Sequence, residues 1–333
     1  MENNHHITKT IAQYINAFIS NITHARSQNT AKTYSNALHV FLQSLREQDI
    51  NPEIDQVNSL SVDLIICFLD YVKSYSPATE RLYLTAVNMF YEYLAAEGLT
   101  NINLPKLKLL IKQRARRPGL RLPQFPKESI ESVLEYADKL KQIPSVNENN
   151  RLINYRDRAF IITLADTGLR VHEACNLRRG DIDWNEGRAI VIGKGNQQAV
   201  VRLSRRAQKT IQDYLSLRKK LDGNSGRALS SLPIFARHDR GAGSKIKSIT
   251  TTTGRNIVSS RIIDALGPEA EGTITPHSFR HYFVTRILQG SGNLKLAQSL
   301  ARHKNIAVTQ RYAHLADNEL DKGYWDIFEN EEN

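Results

Sequence analysis

The chain has 333 residues, enough for about two domains. Its 41% apolar residues give each domain a core to bury. Few glycines (17) and prolines (10) for this length argue against a loop-rich or all-β chain. Cys67 and Cys175 are the two cysteines, too few for a disulfide scaffold or a cysteine-based zinc site. No apolar run approaches a membrane span, and the first residues are polar where a secretion signal needs an apolar stretch. The expected location is therefore cytoplasmic. The net charge is +11, unevenly spread. Residues 1–105 carry −4, residues 106–127 hold eight basic groups and no acid, residues 128–312 carry +13, and residues 313–333 carry −6. A basic middle and an acidic end point to a polyanion partner.

The first hundred residues read as amphipathic helices with short breaks. Ile11, Tyr14, Ile15, Phe18, Ile19 and Ile22 form one apolar stripe at helical spacing. Tyr34, Leu38, Phe41, Leu42 and Leu45 form a second, and Leu64, Ile65, Phe68, Leu69 and Val72 a third. Ser76-Pro77 opens a fourth helix that ends at Gly98, with serine as cap and proline in the first turn. These predict a helical domain over 1–104. Pro105, Pro118, Pro123 and Pro126 with the basic run predict a linker over 105–126 that lies near the polyanion. Its candidate contacts are Lys106, Lys108, Lys112, Arg114, Arg116, Arg117 and Arg121.

A second domain is expected over 127–333. A helix is predicted over 128–140, a polar loop over 141–153, and an apolar helix over 155–166 closed by Thr167-Gly168. Strand-like runs follow at 181–184, 189–192 and 199–203, separated by the turn sequences Asn185-Glu186-Gly187 and Gly193-Lys194-Gly195-Asn196. From there the pattern is helical to the end. The predicted fold class is mainly α with a small antiparallel β-sheet.

Four segments carry chemistry: Thr167-Gly-Leu-Arg170-Val-His-Glu173, the hairpin tip Gly193-Lys194-Gly195, Thr275-Pro276-His277-Ser-Phe-Arg280-His281, and His303 followed by Thr309-Gln-Arg-Tyr312-Ala-His314. Each alone is weak. An arginine after a helix-ending glycine is usually a surface residue, and a tyrosine on an amphipathic helix is usually packing. Together, in this order, they resemble the tyrosine recombinase (phage integrase) family over most of the chain. One departure stands out: the family commonly carries Leu-Gly-His at the fifth position, where Ala301-Arg302-His303 stand here.

The resemblance implies a two-domain DNA clamp with catalytic residues Arg170, Lys194, His277, Arg280, His303 and Tyr312, supported by Glu173. It implies a simple Xer- or Cre-like site-specific recombinase that cuts and rejoins DNA through a 3′-phosphotyrosyl ester and a Holliday junction. Phosphoryl transfer suits these residue types. Guanidinium forks neutralise the phosphoryl oxygens, and a phenol is both nucleophile and ready leaving group in the reverse step. His277 is the expected base or donor, His303 a second phosphate donor, and Lys194 the acid for the leaving oxygen. No metal, ATP or other cofactor is expected. The implied partners are double-stranded DNA with inverted-repeat sites and three further copies of the chain in a homotetramer, a monomer when free, with accessory DNA-bending or directionality proteins conceivable and no membrane. The acidic, apolar tail, a helix expected at about 317–330, would dock on a neighbouring protomer or pack back on its own domain. The helical module starts by about Ile7, so no arm-binding domain is expected ahead of it. Two alternatives stand beside this reading: a type IB topoisomerase-like nicking-closing enzyme, and a catalytically silent DNA-binding protein.

Overall fold

The computed structural model describes residues 9–116, 126–193, 197–239, 241 and 245–312. The chain divides into two compact units, Met1–Leu120 and Arg121–Asn333.

The first unit is helical. Its helices are α1 (Ile11–Ala25), α2 (Gln28–Arg46), α3 (Asp63–Tyr71), α4 (Pro77–Ala96) and α5 (Leu104–Arg114). Side chains that accept from backbone amides start them: Thr10 for α1, Ser27 for α2 and Ser76 for α4, each satisfying a donor that the helix leaves open. The predicted stripes turn inward as one core around Phe41, Phe68, Phe90 and Tyr91, with Phe41 and Phe68 edge to face at 5.2 Å. The stretch expected to be linker from residue 105 begins instead with α5. Asn103 caps it by accepting from the Lys106 amide (2.9 Å), Pro105 occupies the first turn, and Leu107 is fully buried in this core. Proline is tolerated in that turn because its missing N–H has no partner there.

The second unit contains α6 (Lys127–Lys139), α7 (Glu148–Thr167) and α8 (Val171–Asn176). The sheet follows with β1 (Ile182–Asp183), β2 (Arg188–Ile192) and β3 (Gln198–Arg202), then α9 (Arg205–Leu217) and α10 (Lys219–Gly223). Last come α11 (Thr251–Leu266), α12 (Pro276–Ser291), α13 (Leu294–Ala301) and α14 (Ile306–Gln310). The sheet is antiparallel in the order β1-β2-β3, with Ala189 opposite Val201 and Ile190 opposite Val200. Ala189, Val191 and Val201 face the core, which α7 crosses with Phe160, Ile161, Ile162 and Leu164.

Two expectations are corrected here. Helix α7 starts at Glu148, inside the predicted loop. Asn147 caps it by accepting from the Asn150 amide, and the Asn149 amide group donates to the His238 carbonyl. Its interior also holds buried charges: Arg156 on Asp157, and Arg158 on Asp138 and Asp213. These polar inward positions hide the apolar period. The pattern after the sheet is not helical throughout either. The described part of 224–250 is largely irregular, with Leu232, Ile234, Phe235 and Ala236 buried. The fully buried Arg218 guanidinium donates to the Pro233 and Ile234 carbonyls and bonds Asp222, satisfying acceptors in a segment whose described residues pair only through isolated bridges, Arg178 with Pro233 and Ala236 with Ser248. No helix of the described residues is long and apolar enough to cross a membrane.

Candidate active site

The site of the second unit is assembled at the ends of five helices, α7, α8, α12, α13 and α14. Helix α7 ends at Gly168, whose φ of 59° lies in the left-handed region. A Cβ there would also lie 2.4 Å from the Phe283 ring, so both backbone and space call for glycine. The chain turns at once into Arg170, the residue before α8. Glu173, three residues on, accepts from the Arg170 backbone amide (2.9 Å) and from its guanidinium (3.1 Å). Glu173 is buried, while the Arg170 side chain is 44% exposed and free to meet a ligand.

Helix α12 opens with Thr275 as its cap residue and Pro276 in the first turn, and the Thr275 amide donates to Ser278 Oγ (3.0 Å). One turn in, Arg280 is buried, its guanidinium held by the Gly168 carbonyl (2.5 Å) and the Ala301 carbonyl. Arg170, His277 and Arg280 line one cavity of about 420 Å³ with Leu169, His172, Arg255 and Thr275. His277 and His281, four residues apart on α12, meet edge to face at 4.3 Å. His281 Nδ1 is hydrogen-bonded to the Tyr312 hydroxyl. Tyr312 follows the short α14 and is 2% exposed, packed with Val284, Leu288, Ala297 and Ala301. His303 precedes α14, with its Nδ1 on Thr309 Oγ1 at 2.9 Å.

The electrostatics follow from crowding of cations in a partly dry place. Burial, then Arg170 and Arg302, push Arg280 down to about 10. Burial, then the neighbouring imidazole of His277 and the Arg280 charge, push His281 down to about 4. Burial, then Arg280 and Arg170, bring His303 down to about 4 as well, and the same causes lower His277. Burial raises Tyr312 to about 12, against the pull of Arg280 and Arg311. Burial would raise the Glu173 carboxyl, but hydrogen bonds from Arg302 and the Arg170 amide hold it below the usual carboxylate range. At neutral pH the pocket thus presents guanidinium cations, neutral imidazoles and a protonated phenol. It suits a dianionic phosphoryl group in a transition state.

Residues 134–319 match the family model described as "Phage integrase family", and residues 11–98 match its "N-terminal SAM-like domain". The chain belongs to the phage integrase family. The tyrosine recombinase XerC of Pelobacter propionicus is 32% identical over 243 residues, 72% of this chain and 70% of that protein. XerC of Anoxybacillus flavithermus is 27% identical over 297 residues, 88% of this chain and 89% of that protein. In fold, the chain is similar to the XerH recombinase bound to its palindromic difH substrate (TM-score 0.63, 19% identity, 89% of this chain and 79% of that one). It is also similar to a lambda integrase dimer bound to a core site (TM-score 0.62, 17% identity, 91% and 77%).

Of the integrase residues expected from sequence, the fold gathers Arg170, Glu173, His277, Arg280, His303 and Tyr312. Lys194 lies outside the described residues. Its neighbour Gly193 does not: a Cβ there would lie 3.8 Å from Glu173 Oε1, so the chain leaving β2 reaches the site at Gly193. Among the linker cations, Lys106, Lys108, Lys112 and Arg114 are exposed on α5, and Lys108 bonds Glu92 (2.8 Å). Arg116 is spent internally. Its amide and guanidinium bond the 1% exposed Glu80, and its guanidinium also reaches the Tyr75 carbonyl. Arg117 and Arg121 lie outside the described residues, as does the predicted tail helix.

Sequence reasoning missed two residues. His281 stands beside Arg280 in the motif, and its signal was the four-residue spacing from His277. Arg302 marked only a departure from the pattern. It occupies a left-handed backbone position (φ 57°), which costs a non-glycine residue about 1–2 kcal/mol.

Proposed function

We infer that this chain is a site-specific DNA recombinase, with Tyr312 as nucleophile. The observation that carries the reading is the run of contacts from the Tyr312 hydroxyl to His281 and from His281 to His277, which lines one cavity with Arg170 and Arg280. The Tyr312 oxygen attacks the phosphorus, the bond to the 5′ oxygen breaks, and a 3′-phosphotyrosyl ester forms. Arg170 and Arg280 hold the two non-bridging oxygens by charge-assisted forks. His303 and His277 add hydrogen bonds. Lys194, the residue after Gly193, protonates the leaving 5′ oxygen. The phenolic proton passes to the imidazole pair. As found, His281 is too weak a base for this, because burial, the His277 imidazole and the Arg280 and Arg311 charges all bear on it. An entering phosphate offsets those charges and raises the imidazoles toward their ordinary value. The 5′-hydroxyl of a partner strand then displaces the tyrosine, giving a Holliday junction with no energy source beyond the ester itself. The substrate is duplex DNA with inverted half-sites, held by a homotetramer in the nucleoid.

The test is a pool of nicked duplexes of random sequence, in which cleavage next to the nick loses a short fragment and traps the ester. Adducts that converge on one sequence with inverted halves, and supercoiled plasmids carrying two copies that yield joined exchange products, are the expected results. Plasmid relaxation without exchange would assign the chemistry to a nicking-closing enzyme, and sequence-specific binding without adducts to a silent binder.

A further inference from the structure

We propose that Arg302 is a positioning residue of the cleavage site, fixing the Glu173 carboxylate and through it the Arg170 guanidinium that meets the phosphate. It rests on the phosphotyrosyl reading above.

Arg302 closes α13 in the left-handed conformation, φ 57° and ψ 44°. With Asp49 it is one of two non-glycine residues with positive φ among the described residues. A residue held in such a conformation needs a compensating contact, and functional sites are where such positions gather. Its contact is internal. The guanidinium donates to Glu173 Oε2 at 2.8 Å, and its side chain is 13% exposed against 0% for that of Glu173. Glu173 Oε2 also accepts from the Arg170 amide, and Oε1 from the Arg170 guanidinium. One carboxylate therefore ties together two arginines from distant parts of the chain. Arg302 Nε is buried with no hydrogen-bond partner, so the Glu173 contact is what fixes the head of the side chain.

The turn is placed where its conformation matters. The preceding carbonyl, that of Ala301, holds Arg280, and the following residue is His303. Without Arg302, Glu173 keeps Arg170 as its partner and draws the Arg170 guanidinium toward itself, away from the open cavity. With Arg302 in place, part of the carboxylate charge is already met and its orientation is set from the far side. Arg170 then stays extended toward the phosphate. A surface ion pair does little of this kind, but here the carboxylate is wholly buried.

The test uses the full chain and the trapping duplex selected by wild type. Four variants are compared: Arg302→Gly, Arg302→Lys, Glu173→Gln, and the Arg302→Gly, Glu173→Gln double. Glycine suits the left-handed backbone, so Arg302→Gly regains part of the stability lost by unpairing the buried Glu173, and rates are compared well below each variant's melting temperature. Arg302→Gly slows adduct formation at saturating DNA by about 10–100-fold, the usual scale for a residue acting through another. DNA affinity stays within about twofold, as expected for a group remote from the bases. Arg302→Lys recovers part of the rate, and the double variant is no slower than Glu173→Gln alone. Wild-type rates in Arg302→Gly would overturn the proposal, as would fully multiplicative losses in the double variant. If wild type itself gives no more adduct than Tyr312→Phe, the phosphotyrosyl reading falls first and this inference with it.

Discussion

Arginine geometry decides the chemistry at the level of single residues. Arg280 spends two nitrogens on the Gly168 and Ala301 carbonyls and remains buried beside other cations, a costly arrangement unless an anion arrives. Arg280→Lys keeps the charge but cannot span both carbonyls and a phosphate oxygen. Adduct formation is expected to fall about 10²-fold or more, with duplex affinity changed far less, as measured by single-turnover trapping and gel shift. The histidines give a pH signature. Their native pKa values lie below the ordinary 6.5, at about 4 for His281 and His303, so the unfolded chain binds more protons between those limits. Stability is therefore full above pH 6.5 and is lost as the pH falls toward 4. Thermal melts across that window should show a steeper fall in wild type than in His281→Gln. Equal slopes would contradict the neutral, crowded imidazoles. The pattern His277-x-x-Arg280 was legible from spacing alone. The contact of His281 with Tyr312 was not, since it depends on where a separate helix returns.

Secondary-structure elements matter here through their ends. Gly168 sets the exit of α7, and its carbonyl fixes Arg280. Gly168→Ala must both adopt positive φ and displace the Phe283 ring, so a loss of about 1–3 kcal/mol is expected, with cleavage falling alongside. Urea unfolding of wild type and Gly168→Ala measures this. An unchanged midpoint would mean that the ring and turn rearrange freely. The helix start at Ser76-Pro77 and the helix end at Gly168 were readable because caps are local chemistry. The start of α7 was not, because its first turns over 148–154 are mostly polar, with Asn149 and Asn154 satisfied by partners far away in sequence, the His238 carbonyl and Arg261. Helix α5 was hidden behind a proline that reads as a break but occupies a first turn.

At the scale of the whole molecule, a chain that is −4 over its first 105 residues and +13 over 128–312 is expected to bind a polyanion mainly through its second part. Affinity for duplex DNA should fall linearly with salt on logarithmic axes. Lys112→Ala, an exposed α5 cation, should lower that slope by about one. Arg116→Ala should instead lower the melting temperature of the first unit, since its partner Glu80 is buried. A flat salt dependence would contradict DNA binding through phosphate contacts. Two units, a mainly helical class and a short antiparallel sheet were all visible in periodicity and charge. The joining of Arg170, Glu173, Arg280 and Tyr312 in one site came from the family resemblance, and the contact of Arg302 with Glu173 from neither periodicity nor resemblance, because it is made by packing between helices over a hundred residues apart. Peptide mapping of the trapped adduct tests the central claim most directly. A DNA 3′-phosphate esterified to Tyr312, lost in Tyr312→Phe, is the expected product. A 5′ linkage, another attached residue, or an adduct that survives Tyr312→Phe would contradict it.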